Sequence, residues 1–148
     1  DLAMTSNPVL NFHFQVDWGG SRTGFTHVEG LTAETEVTYY REGDEREYDP
    51  RPIPTLTRYE DITLQRGIVT GDNEIHAWFQ TVEAMKTERR DITISLLNQE
   101  HQPVVTWKVK GAFIRRIDGP ILSGTGEHGG IAIERMVLAH EGFTIEHA

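Results

Sequence analysis

Apolar and polar residues alternate along most of the chain with the two-residue period of a β-strand. Phe12, Phe14, Val16 and Trp18 interleave with His13, Gln15 and Asp17. Gly19-Gly20-Ser21 then reads as a turn, residues 25–28 as a returning strand closed by Gly30, and 32–40, rich in Thr, Val and Tyr, as a further strand. Residues 56–67 predict a long strand ending at Gly67, with Leu56, Arg58, Glu60, Ile62, Leu64 and Arg66 on one side and Thr57, Tyr59, Asp61, Thr63 and Gln65 on the other. Both sides carry charge. Such a strand belongs to a sheet whose second face or edge is completed by something else. Residues 92–96 and 104–110 alternate again, 112–117 continue the second of these past a kink at Gly111, and 131–141 read as a last long strand.

Two stretches depart from this period. Ile75, Trp78, Phe79 and Val82 recur at the spacing of one helical stripe, with Glu74, Gln80, Thr81 and Glu83 filling the rest. Gly71-Asp72 precedes them, which predicts a helix capped by Asp72 with Glu74 near its positive end. Residues 41–54 have no period, many charges and several prolines, so they read as a long excursion between two strands. The sum is an α+β fold, mainly antiparallel β with one helix, arranged as a sandwich or barrel. With 148 residues and no internal repeat or linker, one domain spanning 1–148 is expected.

Composition narrows the function classes. Lys and Arg number 14 against 23 Asp and Glu, a formal charge of -9. A nucleic-acid binder needs a basic stripe, so this balance points away from one and leaves a basic protein partner open. The mean hydropathy is -0.45, and no apolar run approaches the roughly 20 residues of a membrane helix, so stable membrane insertion is not expected. Residues 1–8 lack a basic region followed by an apolar one, so no secretory signal is expected. The chain has no Cys, which removes disulfide and thiolate chemistry and fits a cytoplasmic product.

Familiar catalytic patterns are absent or misplaced. Gly124-Thr125-Gly126-Glu127-His128-Gly129 matches the glycine spacing of a dinucleotide loop, yet Ile131-Ala132-Ile133 after it reads as strand rather than helix. Without a helix N-terminus the amides have nothing to aim at a phosphate. The seven His residues form no HExxH or HxH, and no GxSxG surrounds Ser6, Ser21, Ser95 or Ser123. No enzymatic activity and no cofactor or metal is expected.

Several segments carry a family resemblance. Asn7-Pro8 followed by Phe12-His13-Phe14-Gln15-Val16, then Val28-Glu29-Gly30-Leu31-Thr32-Ala33-Glu34-Thr35-Glu36, resemble an opening strand and a V-x-G-L-x-x-E-x-E segment. Tyr40-Arg41-Glu42-Gly43 follows. Residues 54–67 resemble L-P-G-L-T-K-Y-x-x-I-T-L-K-R-G, and Ile133-Glu134-Arg135-Met136-Val137-Leu138-Ala139-His140-Glu141-Gly142 resembles I-E-x-L-x-L-A-H-E-G. In this order and span the chain resembles the tail tube proteins of contractile phage tails, the family that also supplies the inner tubes of pyocin-like particles and extracellular injection systems. It departs from the pattern at Pro54-Thr55, where the family has Pro-Gly, and in the run Asp49-Pro50-Arg51-Pro52.

The resemblance implies a homo-hexameric ring in which strands of six chains close one shared β-barrel, and rings that stack into a hollow tube. A contractile sheath surrounds such a tube, baseplate or spike and cap proteins end it, and cargo or DNA passes through its lumen without specific binding. The particle would be assembled in the bacterial cytoplasm and could be released from the cell. On this footing residues 32–41, 57–66 and 131–141 are the expected wall strands, with Thr63 and Gln65 towards the lumen. Glu42, Asp44, Glu45, Arg46, Glu47, Tyr48, Asp49 and Arg51 would reach the next ring, and Glu74, Gln80 and Glu83 would face the sheath. Acidic residues lining the lumen would let DNA slide. A type VI secretion tube protein shares this architecture. A monomeric ligand-binding β-barrel is the alternative from another class.

Overall fold

The computed structural model describes residues 12–19, 22–40, 43, 50–68, 73–123 and 131–148. The element order is β1 (His13–Asp17), β2 (Arg22–Phe25), β3 (His27–Glu29), β4 (Ala33–Tyr40), β5 (Arg51–Tyr59), β6 (Ile62–Gly67), α1 (Glu74–Glu83), β7 (Arg90–Leu97), β8 (Pro103–Ser123), β9 (Ile131–Ala139) and β10 (Gly142–His147). Among the described residues the expected α+β class, mainly antiparallel β with one helix, holds. The main sheet runs β2-β1-β7-β8-β9-β6-β3, with β10 also on β8. Its end strands, β2 and β3, are joined in the chain by Thr26 alone, whose N–H donates to the Gln65 carbonyl at 3.0 Å. The path therefore returns on itself and encloses a barrel, leaving few free strand edges.

β8 makes this closure possible. Its first half pairs with β10 and β7 and its second half with β9. It turns the corner at Gly111, where φ is +60°. The segment paired beside it turns at the same level, at Gly142, the first residue of β10, with φ +134°. Alternate residues of the strands fill the interior: Val16, Ile62, Leu64, Ile92, Ile94, Ile114, Met136 and Leu138 are fully buried. Helix α1 adds Ile75 and Trp78 to the same core, with Phe79 packed against it and Val82 half-buried.

The excursion expected over 41–54 ends by Arg51, where β5 begins, and four other sequence expectations need correction. Residues 25–28 are not one strand but the junction of β2 and β3. The strand expected over 56–67 breaks at Glu60-Asp61, because β5 pairs with β4 in a separate two-stranded sheet while β6 belongs to the barrel. The last strand stops at Ala139, and a further strand, β10, follows. The helix begins one residue later than expected: its N-cap is Asn73, which makes no side-chain capping bond.

Gly30 sits where β3 leaves the barrel to become β4. Its φ is +86°, and a Cβ there would lie 1.9 Å from the Asp61 carbonyl oxygen. Backbone cannot retreat as a flexible side chain would. Gly30→Ala thus combines a left-handed conformation with overpacking, and is expected to cost about 2 kcal/mol or more in chemical denaturation. A variant as stable as wild type would show that the β3–β4 junction rearranges freely.

Candidate assembly surfaces

Three surfaces stand out because of what the core leaves uncovered. The first is the β4–β5 arm. β3 pairs with β6 and β4 with β5 in the same antiparallel sense, so the two strand pairs form one long hairpin whose base is in the barrel. Every residue of β5 is exposed, as is nearly all of β4. The exposed side chains include Val37, Tyr39, Tyr40, Ile53, Leu56 and Tyr59, with Tyr39 at 65% and Leu56 at 68%. An isolated two-stranded ribbon is at best marginally stable in water.

The register sorts the arm into two faces, since opposed residues share a side. Ala33 opposes Tyr59, Thr35 opposes Thr57, Val37 opposes Pro54, and Tyr39 opposes Pro52. This face has no charge, and Thr35 and Thr57 are within hydrogen-bond reach across it at 3.4 Å. Glu34 opposes Arg58, Thr38 opposes Ile53, and Tyr40 opposes Arg51 on the other face, where Arg58 also pairs with Glu36. Pro52 and Pro54 remove two N–H donors from β5, whereas β4 has no proline and keeps a full donor set.

The arm is held at its root. The His140 ring accepts the Gly142 N–H at Nδ1, 3.1 Å, so Nδ1 carries no proton and Nε2–H donates to the Glu60 carbonyl at 2.7 Å. Tyr59, the last residue of β5, stacks edge-on against Phe143 at 5.1 Å and His140 at 5.8 Å. Arg115 pairs with Asp61 at 2.5 Å. The junction is thus fastened from β8, β10 and the turn between β9 and β10 at once.

The second surface is the outer face of β3, β6, β9 and the second half of β8. Ile62, Leu64 and Arg66 point into the core, so Thr63 and Gln65 point away from it and are half-buried. In register with them lie His27, Glu29, Val137, Arg135, Arg116 and Asp118. Gln65 Oε1 accepts from Arg135 at 3.2 and 3.3 Å, Arg116 Nε donates to Asp118 at 2.8 Å, and His27 meets Glu29. Among these residues two arginines offset two carboxylates, so the chain's acidic surplus lies elsewhere. β8 supplies a strand to this sheet that the sequence reading left out of the wall.

The third surface is helix α1. Beneath it, Glu134 and Arg66 are 7% and 3% exposed. Glu134 holds Arg66 Nε at 3.2 Å through one oxygen and His76 Nε2 at 3.2 Å through the other. Glu134 and Arg66 are on the core side of β9 and β6. The helix that meets Glu134 is therefore on the opposite side of this layer from Thr63 and Gln65. Glu74, Gln80 and Glu83 are exposed on the helix.

Of the residues expected to reach a neighbouring ring, Glu42, Asp44, Glu45, Arg46, Glu47, Tyr48 and Asp49 lie outside the described residues. Arg51 is not in a loop but opens β5, exposed and opposite Tyr40. The glycine pattern at 124–129 also lies outside the described residues, and the element after it is strand β9. Among the described residues no three of His, Cys, Asp or Glu converge as metal ligands would. The arm's apolar exposure escaped the sequence reading, although the alternation of Val37 and Tyr39 with polar neighbours was a signal for it.

The architecture has solved counterparts. One is a chain from the PVC sheath–tube complex of an extracellular contractile injection system in the extended state, with a TM-score of 0.83, 25% identity, and 99% of this chain and 97% of that one covered. Another is a chain from the anti-feeding prophage cap, described as an AFP tube terminating cap, with a TM-score of 0.81, 27% identity, and 97% and 93% covered. Hcp1 from Flavobacterium johnsoniae has a TM-score of 0.59 at 14% identity, with 92% and 96% covered, and shares the fold. No curated protein matches the chain significantly. A family model described as the T4-like virus tail tube protein gp19 matches residues 10–144. With that match spanning almost all of the barrel and the arm, the chain belongs to the gp19 tail tube family and is a structural tube subunit.

Proposed function

We propose that this chain, as a single domain, forms hexameric rings that stack into the inner tube of a contractile phage-like or extracellular injection particle. The arm carries this reading. Among the described residues its apolar side chains have no cover, and a neighbouring copy would supply it. Strand addition along the donor-complete edge of β4 would extend the sheet across the subunit boundary. The outer face of β3, β6, β9 and β8 would line the channel with Thr63 and Gln65, where charges that already pair offer DNA or cargo no specific hold. Helix α1 lies on the opposite side of that layer, which suits contact with a sheath through Glu74, Gln80 and Glu83. Caps and a baseplate or spike would end the tube. The residues 42–51 would reach the next ring, with Arg51 at the start of β5.

The protein would act by geometry, without a catalytic centre or cofactor, and would assemble in the bacterial cytoplasm. A hollow ligand-binding barrel receives no support from an interior occupied by Trp78, Ile62, Leu64, Met136 and Leu138. Negative-stain electron microscopy of the purified chain, with its mass from light scattering, tests the reading. Rings or stacked tubes of constant bore are expected as concentration rises. A monodisperse monomer that stays monomeric beside its baseplate and sheath would overturn it.

A further inference from the structure

The chain following α1 ends the helix with a specific hydrogen-bond pattern. Met85 N–H bonds to the Val82 carbonyl at 3.0 Å and Lys86 N–H to the Thr81 carbonyl at 2.9 Å. These are the paired bonds of a Schellman motif, in which the residue after the cap takes a left-handed conformation and is usually glycine. Here it is Met85, with φ +58°. The position is strained for a side chain, and this one gains nothing in return, being 92% exposed.

The helix beside it presents a ridge. At 100° per residue, Ala77, Gln80 and Ala84 share the outward side, opposite Ile75, Trp78 and Val82, and Glu74 and Glu83 flank that ridge on its two sides. Alanines let a partner approach closely, and flanking carboxylates favour a cationic one. Exposed ion pairs contribute little to binding, however, whereas burying an apolar side chain contributes several-fold more. Methionine is enriched at interfaces and adapts to irregular sockets.

We propose that Met85 is the apolar anchor by which the tube holds its sheath. It enters an apolar socket on a sheath segment whose cationic side chains run along Glu74 and Glu83. This rests on the tube reading and on α1 facing outwards. The anchor supplies most of the affinity, and the carboxylates select and orient the partner.

The test compares full-length chains carrying Met85→Gly, Met85→Leu, or Glu74→Gln with Glu83→Gln. Each is assembled into tubes, mixed with the sheath protein of the same particle, and read by sedimentation and electron microscopy. Glycine suits the left-handed position, so Met85→Gly should melt at or above the wild-type temperature and form normal tubes. Its apparent affinity for sheath should fall by about tenfold or more. Met85→Leu should retain sheath binding to within about threefold, and the double glutamine variant should lose no more than about threefold. Met85→Gly tubes that are sheathed like wild type would overturn the anchor while leaving the tube reading intact. Wild-type chains that form no tubes even beside their baseplate and sheath would overturn both.

Discussion

Replacing Trp78 with alanine is expected to cost about 3–5 kcal/mol of folding stability, mostly by undoing the seat of helix α1. Trp78 is 1% exposed. Its ring meets Trp18 edge-on with centroids 5.2 Å apart, the Arg90 guanidinium lies 5.0 Å above it, and its Nε1–H donates to the Glu88 carbonyl at 2.7 Å. One side chain therefore ties together the helix, the end of β1, the start of β7 and the segment after the helix. Alanine leaves a cavity no neighbour can fill, since Trp18 is itself locked against Phe25 at 5.8 Å. It also leaves the Glu88 carbonyl without the indole donor. The lost edge-to-face pair adds roughly 0.5–1.5 kcal/mol beyond the area term. Urea unfolding followed by circular dichroism reads the cost directly. A loss below about 1 kcal/mol would mean that the helix is anchored elsewhere, with the Glu134 contact to His76 the next place to look.

What the sequence made legible follows from which side chains meet the core. In β7, Ile92 and Ile94 are buried and Asp91 is exposed, so burial imposed the alternation that announced the strand. The helical stripe is visible for the same reason, because Ile75 and Trp78 must reach one core from consecutive turns. The break at Glu60-Asp61 left no such trace. Residues on both sides favour strands, and what separates them is tertiary: Gly30 pressed against the Asp61 carbonyl, Arg115 drawn to Asp61, and His140 to Glu60. β10 was invisible because beyond Phe143 the residues Thr144, Ile145, Glu146 and His147 are all exposed, and an edge strand that buries only its first residues needs no alternation. Its start at Gly142 looked like an ending because a left-handed glycine serves both.

The same logic limits what charge composition reveals. If part of the formal charge of -9 lined a channel, it would repel DNA from the wall. The sheet face bearing Thr63 and Gln65 has Arg116 beside Asp118 and Arg135 on Gln65 instead. A sum over the chain cannot tell which face holds the surplus, because strand residues one position apart point to opposite sides. In the buried layer beneath, Arg66 and Glu134 neutralise one another. The cost of taking both charges out of water offsets much of their attraction, so the pair is not a large net source of stability.

Placing glutamate at both Val37 and Tyr39 is expected to stop tube growth while leaving the subunit folded. The two residues stand on the uncharged face of the arm, opposite Pro54 and Pro52. Both are exposed in the single chain, at 46% and 65%, so the substitutions remove no core contact and should shift unfolding by less than about 0.5 kcal/mol. Assembly is different. If a second copy covers this face, each carboxylate loses water without gaining a partner, a cost of several kcal/mol. Two such costs raise the concentration needed for polymerisation by at least about 100-fold, which is only 2.7 kcal/mol in total. The opposite face provides the control. Glu34→Gln with Arg58→Gln removes exposed, mutually opposed charges worth about 0–1 kcal/mol and should leave assembly within about fivefold of wild type. Light scattering against concentration separates the two cases. Tubes that form normally from the double glutamate variant would mean that the uncharged face stays in solvent. The arm would then dock through Ile53, Tyr40 and the ion-paired side, and the glutamine control would become the damaging change.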